Sequence, residues 1–344
     1  MIELRSDTFT LPTAAMREAM SFAAVGNDGY REDPTVLELE QRAADELGKA
    51  AACLTPSGIM ANLAGLMTHL PRGGSLLVGD ESDIYRHEHG GASICGGLVY
   101  HPVTTAPDGT LPLDALRAAL AETAGEPRLI CLENTQNRCG GKPLPLSYLD
   151  AVRELADEHG ARVHVDGARL FNAAIATGVP AAELVRGADS AQFCLSKGLS
   201  APIGSILAGD ADFIAGARRV RTMLGGTMRQ AGVIAAAGLV ALDTMVDRLA
   251  DDHRRARKLA EGLAGVPGLE LDPAEVVTNI VLFDVTVGTA QDFIDAAARA
   301  GLAVLSPGGL KVRAVTHSGT TDADIAAAVA AAAVATADLV GAVR

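Results

Sequence analysis

The segments VHVDGARL (residues 163–170) and FCLSKGLSAPIGS (residues 193–205) decide the fold, because each joins an apolar β-strand pattern to a charged residue. Asp166 ends the first apolar run, and Lys197 follows the second, 31 positions later. In open α/β sheets, ligands bind beyond the carboxyl ends of the strands. The two segments therefore predict that Asp166 and Lys197 lie at the same sheet edge and share a ligand.

The chain around these segments alternates short β-rich runs with helical patterns, which is typical of a largely parallel sheet covered on both faces. We predict an α/β protein with an N-terminal arm (1–20), a large domain (21–245) and a small α+β C-terminal domain (246–344), where the order of elements changes. The large domain is predicted to contain a mostly parallel sheet of seven strands at residues 51–55, 75–79, 97–103, 128–134, 162–166, 191–195 and 204–209.

Composition narrows the class of protein. The 344 residues are 49% hydrophobic and carry a formal net charge of −13, so the chain can bury a large core but lacks the basic surface that nucleic-acid binding needs. The N-terminus does not resemble a secretion signal, and the alanine-rich segment from Asp322 is predicted to be a packing helix, so we expect a cytoplasmic protein with no membrane partner. Five scattered cysteines predict neither a disulfide framework nor a zinc knuckle.

The residue chemistry of the two segments favours pyridoxal 5'-phosphate as the cofactor. A lysine leaving one strand can form the Schiff base, and an aspartate ending the neighbouring strand can keep the pyridine nitrogen protonated. Upstream, Ser57 and Gly58 lie between a strand and a helix, where a hydroxyl and backbone N–H groups can hold a phosphate. Taken singly, Ser57 is equally interpretable as a helix cap, Asp166 as a turn residue and Lys197 as a solvated lysine.

The segment DESDIYRHEHGG (residues 80–91) combines acidic residues with His87 and His89 and raises the question of a metal site. Residues two apart do not face each other on a helix, and no HExxH pattern completes a ligand shell. We therefore predict no metal here and interpret the segment as a polar loop whose role depends on its surroundings.

Eight collinear motifs resemble the low-specificity L-threonine aldolases, which are fold-type I pyridoxal-phosphate enzymes (aspartate aminotransferase-like) of the β-eliminating lyase group. The motifs are LRSDTFT (4–10), VGNDGYREDPTV (25–36), TPSGIMANL (55–63), ENTQNRCGGKPLPL (133–146), VHVDGARLFNA (163–173), CLSKGLSAPIGS (194–205), LGGTMRQAG (224–232) and VRAVTH (312–317). Because they span nearly the whole chain, the resemblance implies a carbon–carbon lyase that cleaves a β-hydroxy-α-amino acid to glycine and an aldehyde, assembled as a homotetramer, a dimer of dimers.

The resemblance also implies roles for individual residues. Lys197 is the Schiff-base lysine and Asp166 the partner of the pyridine nitrogen, while the neighbouring subunit brings GGTMRQ (225–230) close to the cofactor. The phosphate and ring contacts involve Ser57, Gly58, Ile59 and Arg169, the substrate carboxylate contacts are Ser6, Arg169 and Arg313, and the candidate residues of the substrate side-chain pocket are Tyr30, His87, His89 and Arg229.

The spacing of the two arginines agrees with these roles. Arg169 lies three residues after Asp166 and can face the same pocket, although a supporting salt bridge explains it equally well. Arg313 alternates with apolar neighbours in LKVRAV, which also fits an exposed strand arginine.

Two positions depart from the family pattern. Asp83 and Gln136 stand where the family ordinarily has histidines, one of which stacks on the cofactor ring and is a candidate base for the β-hydroxyl. We include Lys197, Asp83 and Gln136 as catalytic candidates, although glutamine cannot take the proton.

Several explanations of these departures stay open. Asp83 could act as the base if burial raises its pKa, or orient a water, or bind a cationic substrate group together with Glu88 while His87 or His89 takes the proton. The enzyme could instead break a different bond at Cβ, by β-elimination or transaldol transfer, or be a non-catalytic binder. Asp83 as a helix cap and the two histidines as surface residues are the structural alternatives.

Overall fold

The computed structural model describes residues 1–342, which contain three β-sheets flanked by helices. The strands are β1 (Ile2–Glu3), β2 (Ala51–Thr55), β3 (Ser75–Gly79), β4 (Val99–Val103), β5 (Arg128–Glu133), β6 (Arg162–Asp166), β7 (Ser190–Cys194), β8 (Ser205–Gly209), β9 (Leu269–Glu270), β10 (Ile280–Val285), β11 (Leu302–Ala303), β12 (Leu305–Gly308) and β13 (Lys311–Val315).

Helices connect most of these strands. They are α1 (Ala14–Phe22), α2 (Pro34–Glu46), α3 (Gly58–His69), α4 (Asp83–Arg86), α5 (Gly91–Ile94), α6 (Leu113–Glu122), α7 (Leu146–Glu158), α8 (Leu170–Thr177), α9 (Ala181–Leu184), α10 (Ala211–Met223), α11 (Gly232–Thr244), α12 (Leu249–Ala264), α13 (Ala290–Arg299) and α14 (Asp322–Ala342).

The large sheet has seven strands in the order β2-β8-β7-β6-β5-β3-β4. Strands β3 to β7 pair in parallel, and β8 pairs antiparallel with both β2 and β7. The seven strands predicted from the sequence are confirmed, with bounds that differ by at most two residues. Strands β3, β7 and β8 are buried along their whole length, as expected for apolar runs covered by helices on both faces.

The C-terminal part contains a four-stranded antiparallel sheet in the order β12-β13-β10-β9. Helices α12, α13 and α14 pack with this sheet around an apolar core that includes Phe283, Phe293 and Val312. The first residues of the chain join this core, because β1 pairs with β11 and Leu4 is fully buried. The N-terminal segment therefore begins in the core of the C-terminal part, and it reaches the edge of the large sheet by Thr10, which donates a hydrogen bond to the Lys197 carbonyl.

Helix α14 is long and apolar enough to span a membrane by length and composition alone. One face of it, with Ile325, Ala328 and Ala332, is buried in the core of the C-terminal part. A Cβ added at Gly262 of α12 would lie 2.5 Å from Val329, so the two helices approach closely. This packing is what the sequence predicted for the segment.

We keep the division into an arm (1–20), a large domain (21–245) and a small domain (246–344) as a proposal. Separate apolar cores on either side of residue 245 support it, although Leu249 of α12 packs in the larger core. The border proposed at residue 20 falls inside α1, which packs against α11.

Candidate active site

The candidate active site lies at the carboxyl edge of the parallel strands. Asp166 is the last residue of β6 and stands in register with Glu133, the last residue of β5. Lys197 follows β7 by three residues, and its carbonyl accepts a hydrogen bond from Thr10 Oγ1 at 2.9 Å. The loop that carries Lys197 is therefore attached to the N-terminal segment.

Two adjacent cavities open at this edge. We call the first, of about 360 Å³, the arginine cavity, because Arg169 and Arg313 line it. The second, of about 250 Å³, is the aspartate cavity, lined by Asp166. Three residues line both of them: Asp83, His87 and Lys197.

The Asp166 carboxylate is held by three donors at the base of the aspartate cavity. Asn62 Nδ2 donates to Oδ2 at 2.9 Å, while Gln192 Nε2 and the Ala168 amide donate to Oδ1 at 2.5 and 3.1 Å. Burial raises the pKa of Asp166, and the Lys197 ammonium opposes that shift. A cationic ligand nitrogen at this carboxylate would favour its charged form in the same way.

Further carboxyl groups crowd the same region. Glu88 accepts a hydrogen bond from Asn62 Nδ2 at 2.8 Å, and burial raises the pKa of Glu88 to about 8. Glu133 accepts from the backbone amides of Asp83 and Asn137 at 2.6 and 2.8 Å. Burial, together with the neighbouring Asp83 and Asp166, raises the pKa of Glu133 well above its usual value. Burial therefore disfavours the charged forms of Glu88 and Glu133, whereas the Lys197 ammonium favours the charged form of Asp166.

The N-terminus of α3 forms one wall of the aspartate cavity. Ser57 caps the helix by accepting a hydrogen bond from the Met60 amide at 3.2 Å, and Ser57, Gly58 and Ile59 all line the cavity. A Cβ on Gly58 would lie only 2.8 Å from Cys194 Sγ, so the glycine allows the helix to start close to β7. The free N–H groups of this first turn suit a phosphate, and with Asp166 and Lys197 the donor set fits pyridoxal phosphate.

A buried ion pair stands in the arginine cavity. Arg169 donates from Nε and Nη2 to the two oxygens of Asp7, each at 2.8 Å, and both side chains are almost fully buried. Although burial opposes it, Arg169 lowers the pKa of Asp7. Asn279 donates a further hydrogen bond to Asp7 at 3.2 Å. Arg169 is therefore fixed, with the supporting salt bridge that the sequence left open, and it lines the arginine cavity.

Arg313 lacks such a carboxylate partner among its hydrogen bonds in residues 1–342. Its Nη1 donates to Asn137 Oδ1 at 2.7 Å and its Nη2 to the Arg5 carbonyl at 3.4 Å. Burial and the neighbouring Arg169 lower the pKa of Arg313 to about 10. Ser6 lines the same cavity and accepts a hydrogen bond from the Thr8 amide at 3.2 Å. The pair of arginines beside a serine suits an anionic group such as a carboxylate.

Asp83 begins the short helix α4, His87 directly follows it, and both side chains line the two cavities. Asp83 Oδ1 lies 3.7 Å from His87 Nε2, one helical turn away, and accepts a hydrogen bond from Asn137 Nδ2 at 3.2 Å. Asn137 thereby links Arg313 to Asp83. The Asp83 carboxylate is one-quarter exposed and the His87 side chain about half exposed, so both are accessible from the cavities.

Other predicted site residues lie elsewhere. Gln136 is buried in the wall, where it donates to the Glu81 carbonyl at 3.0 Å and accepts from the Cys139 amide at 2.9 Å, and it lines neither cavity. His89 follows α4 on the surface with a φ of 52°. Tyr30 is 74% exposed, and the carbonyl of Arg229 accepts a hydrogen bond from the Asp28 amide beside it. A cavity role for these residues within one subunit finds no support in their positions.

Sequence reasoning missed the residues that position the site. Asp7, Asn62, Asn137 and Gln192 were not singled out, and each bonds to a residue that was. Asn62 had a usable signal, since it is a polar residue inside the apolar helix GIMANLAGLMTH. Among residues 1–342, no group of three His, Cys, Asp or Glu side chains is arranged to hold a metal ion.

The comparison with protein families decides the classification. The family model described as beta-eliminating lyase matches residues 3–286. The chain belongs to the beta-eliminating lyase family. The family resemblance found in the sequence is thus confirmed.

Two relatives of this chain are both named as low-specificity L-threonine aldolases. The chain is 44% identical over 333 residues to the probable low-specificity L-threonine aldolase 2 of Arabidopsis thaliana, with 94% of each chain covered. It is 46% identical over 266 residues to the low specificity L-threonine aldolase of Escherichia coli (strain K12), covering 76% of this chain and 79% of the relative.

A solved structure supports the fold of this chain. The threonine aldolase of Leishmania major matches with a TM-score of 0.81 at 19% identity, covering 95% of this chain and 97% of that one. The predicted fold class, fold-type I with a large, mostly parallel seven-stranded sheet, is confirmed.

Proposed function

We propose that this member of the beta-eliminating lyase family is a pyridoxal-phosphate-dependent aldolase that cleaves a threonine-like β-hydroxy-α-amino acid to glycine and an aldehyde. The observation that carries the proposal is the junction of the two cavities: Asp83, His87 and Lys197 line both, with Asp166 on one side and the two arginines on the other. The names of the relatives support the same reaction.

The aspartate cavity would hold the cofactor. Lys197 would bind it covalently, Asp166 would pair with its ring nitrogen, and the first turn of α3 from Ser57 to Ile59 would bind its phosphate. Bound pyridoxal phosphate would supply an electron sink for the bond that breaks at the substrate α-carbon.

The arginine cavity would hold the substrate carboxylate. Arg313 offers a guanidinium that is bonded to neutral acceptors, and Ser6 adds a hydroxyl at the same cavity wall. Arg169, fixed by Asp7, would contribute positive charge and its remaining N–H groups. This placement directs the substrate α-carbon toward Lys197, which both cavities share.

We assign proton removal from the β-hydroxyl to the Asp83–His87 pair. His87 would accept the proton on its imidazole, and Asp83, held by Asn137, would orient that ring and stabilise its charged form. Both groups stand where the two cavities meet. The missing family histidines would thereby be replaced by His87, which follows α4 four residues after Asp83.

We also propose a cytoplasmic homotetramer, a dimer of dimers, without nucleic-acid or membrane partners. The net charge of −13 supports the exclusion of nucleic acid. Exposed apolar side chains on the adjacent helices α3 and α10, such as Ile59 at 51% and Met223 at 66%, support burial by a second subunit. In that assembly Tyr30, His89 and Arg229 would act from the neighbouring subunit.

The test is to mix the cofactor-saturated protein with L-threonine, L-allo-threonine, phenylserine and hydroxylated basic amino acids and to identify the products by mass. Glycine and an aldehyde in equal amounts would support the aldolase. A keto acid with ammonia would indicate elimination at Cβ. The absence of any product across the panel would indicate a binder.

A further inference from the structure

A chain of hydrogen bonds runs behind the aspartate cavity, away from both cavities. It begins at Asp166 and continues through Asn62, His164 and Ser190 to His69, the last residue of α3. Its heavy-atom distances are 2.9, 3.1, 2.7 and 2.7 Å. The first four members are buried, with exposed fractions of 3, 2, 0 and 0%.

The sheet register explains why these side chains meet. His164 and Asp166 are two residues apart on β6 and therefore project to the same face of the sheet. Ser190, at the start of β7, is the register partner of His164. Asn62 comes from α3, which covers that face.

The donor and the acceptor of each hydrogen bond from Asp166 to His69 can be assigned. Asn62 Nδ2 donates to both Asp166 and Glu88, so Asn62 Oδ1 points the other way and can only accept. His164 Nε2 must therefore carry a proton. Burial lowers the pKa of His164 to about 4, so the ring is neutral and its Nδ1 is bare.

The remaining two bonds follow from that assignment. The bare Nδ1 of His164 accepts the single hydroxyl proton of Ser190, and the Ser190 oxygen in turn accepts from His69 Nε2. Burial lowers the pKa of His69 to about 3, and among residues 1–342 its buried Nδ1 has no hydrogen-bond partner. His69 is therefore neutral, with its proton on Nε2, where it is donated to Ser190, and with Nδ1 unprotonated.

We propose that His69, Ser190 and His164 are positioning residues that hold the Asn62 amide with its nitrogen toward Asp166, and that they thereby fix the carboxylate that pairs with the cofactor ring. If Asn62 turned over, its oxygen would face the Asp166 carboxylate and its nitrogen would face the N–H of His164 Nε2, so both hydrogen bonds would be lost. This series of hydrogen bonds orients the Asn62 amide. It does not relay protons, because the amide of Asn62 cannot pass a proton along. This inference rests on the proposed function for the identity of the ligand at Asp166.

The experiment compares Ser190→Ala with Ser75→Ala. Both serines are fully buried first residues of strands in the same sheet, but Ser75 bonds to Glu126 and has no link to Asp166. Each variant therefore loses one buried serine hydroxyl, and a comparison of their unfolding midpoints controls for general destabilisation. The probe is pyridoxal phosphate itself, titrated into cofactor-free protein.

We expect Ser190→Ala to raise the cofactor dissociation constant about tenfold, the size of one lost hydrogen-bond contribution, while Ser75→Ala leaves it near the native value. His69→Gln keeps an N–H donor and should stay near native, whereas His69→Leu should weaken binding. Equal binding by Ser190→Ala, His69→Leu and Ser75→Ala would overturn the proposal.

A second measurement is independent of cofactor and turnover. Solid-state nitrogen NMR of histidine-labelled cofactor-free protein, with His164 identified by its loss in His164→Asn, should show a protonated Nε2 and a bare Nδ1. A protonated Nδ1 on His164 would overturn the proposal whatever reaction the enzyme catalyses. Failure of the aldolase reaction with a protonated Nε2 on His164 would count only against the proposed function.

Discussion

At the scale of single residues, the two arginines of the arginine cavity differ in how their charge is balanced. Arg169 forms a two-point ion pair with Asp7, whereas Arg313 donates to the neutral oxygens of Asn137 and Arg5. Burial and the charge of Arg169 lower the pKa of Arg313 to about 10. A bound substrate carboxylate would balance the charge of Arg313, whereas the charge of Arg169 is already balanced by Asp7. Substrate binding is therefore expected to depend more on Arg313 than on Arg169.

Arg313→Ala should raise KM for a threonine-like substrate about 10- to 100-fold, because a charge-assisted hydrogen bond to the carboxylate is lost. Steady-state kinetics with saturating cofactor measure it. Lys311→Ala is the matched control, since Lys311 lies on the same strand and pairs with the exposed Asp284. A KM for Arg313→Ala equal to that of the control would argue against the carboxylate site.

His87→Phe should lower kcat about 10²- to 10⁴-fold, the usual contribution of a general base, while the cofactor stays bound. Asp83→Asn should lower kcat less, because the imidazole remains but loses its orienting charge. The pH dependence of kcat, measured with cofactor absorbance as a binding check, separates the two effects.

His159→Asn serves as the control, because His159 follows α7 and precedes the start of β6 at Arg162, so it lies at the amino edge of the sheet, opposite the cavities. Native-like turnover in His87→Phe would exclude His87 as the proton acceptor. If Asp83→Asn then lost turnover, Asp83 itself would be the base.

At the scale of elements, α3 supplies both the phosphate end and the ring end of the aspartate cavity. Its first turn contains Gly58 and Ile59, its second turn carries Asn62, and its last residue is His69. Because the helix starts close to β7, a change at its N-terminus alters the distance between the two walls of the cavity.

Gly58→Ala should weaken pyridoxal phosphate binding at least about tenfold, because its Cβ would lie 2.8 Å from Cys194 Sγ and push the helix start away from the strand. Equilibrium titration of the cofactor-free protein measures the loss. The double variant Gly58→Ala/Cys194→Ala, which makes room for the methyl group, should recover much of the affinity. No loss in the single variant would show that the first turn does not hold the phosphate.

The sequence predicted elements and their ends well, because alternating apolar runs and helix patterns are local features. It predicted Asp166 and Lys197 at one sheet edge, and spacing and family resemblance predicted Arg169 and Arg313 as site residues. It did not find the Arg169–Asp7 pair or the link from Arg313 through Asn137 to Asp83. Those contacts join segments far apart in the chain, so their partners depend on how the two parts of the molecule pack.

At the scale of the whole molecule, burying several carboxyl groups costs stability as they ionise. Burial raises the pKa of Glu88 to about 8 and the pKa of Asp252 to about 7, and it raises the pKa of Glu133 and Asp166. Each of these groups binds its proton more tightly in the folded protein than in the unfolded chain. Their contribution to stability is therefore present at low pH and lost as pH rises through the folded values.

The cofactor-free protein should become less stable between about pH 7 and pH 8, and Glu88→Gln should reduce that slope by up to about 1.4 kcal/mol per pH unit. At lower pH the buried histidines His69, His164 and His253, whose pKa values burial lowers, give the opposite slope. Glutamine keeps the size of the side chain and an oxygen that accepts from Asn62. Denaturant unfolding at several pH values measures the slope. Parallel stability curves for the native protein and Glu88→Gln would show that Glu88 ionises normally.

The most direct test of the account is to find which lysine binds the cofactor. The chain has five lysines, Lys49, Lys142, Lys197, Lys258 and Lys311, and only Lys197 lines both cavities. Borohydride reduction of the protein with pyridoxal phosphate, followed by peptide mass spectrometry, should place the pyridoxyl group on Lys197. Attachment mainly to another lysine, or no attachment at all, would contradict a site built around the junction of the two cavities.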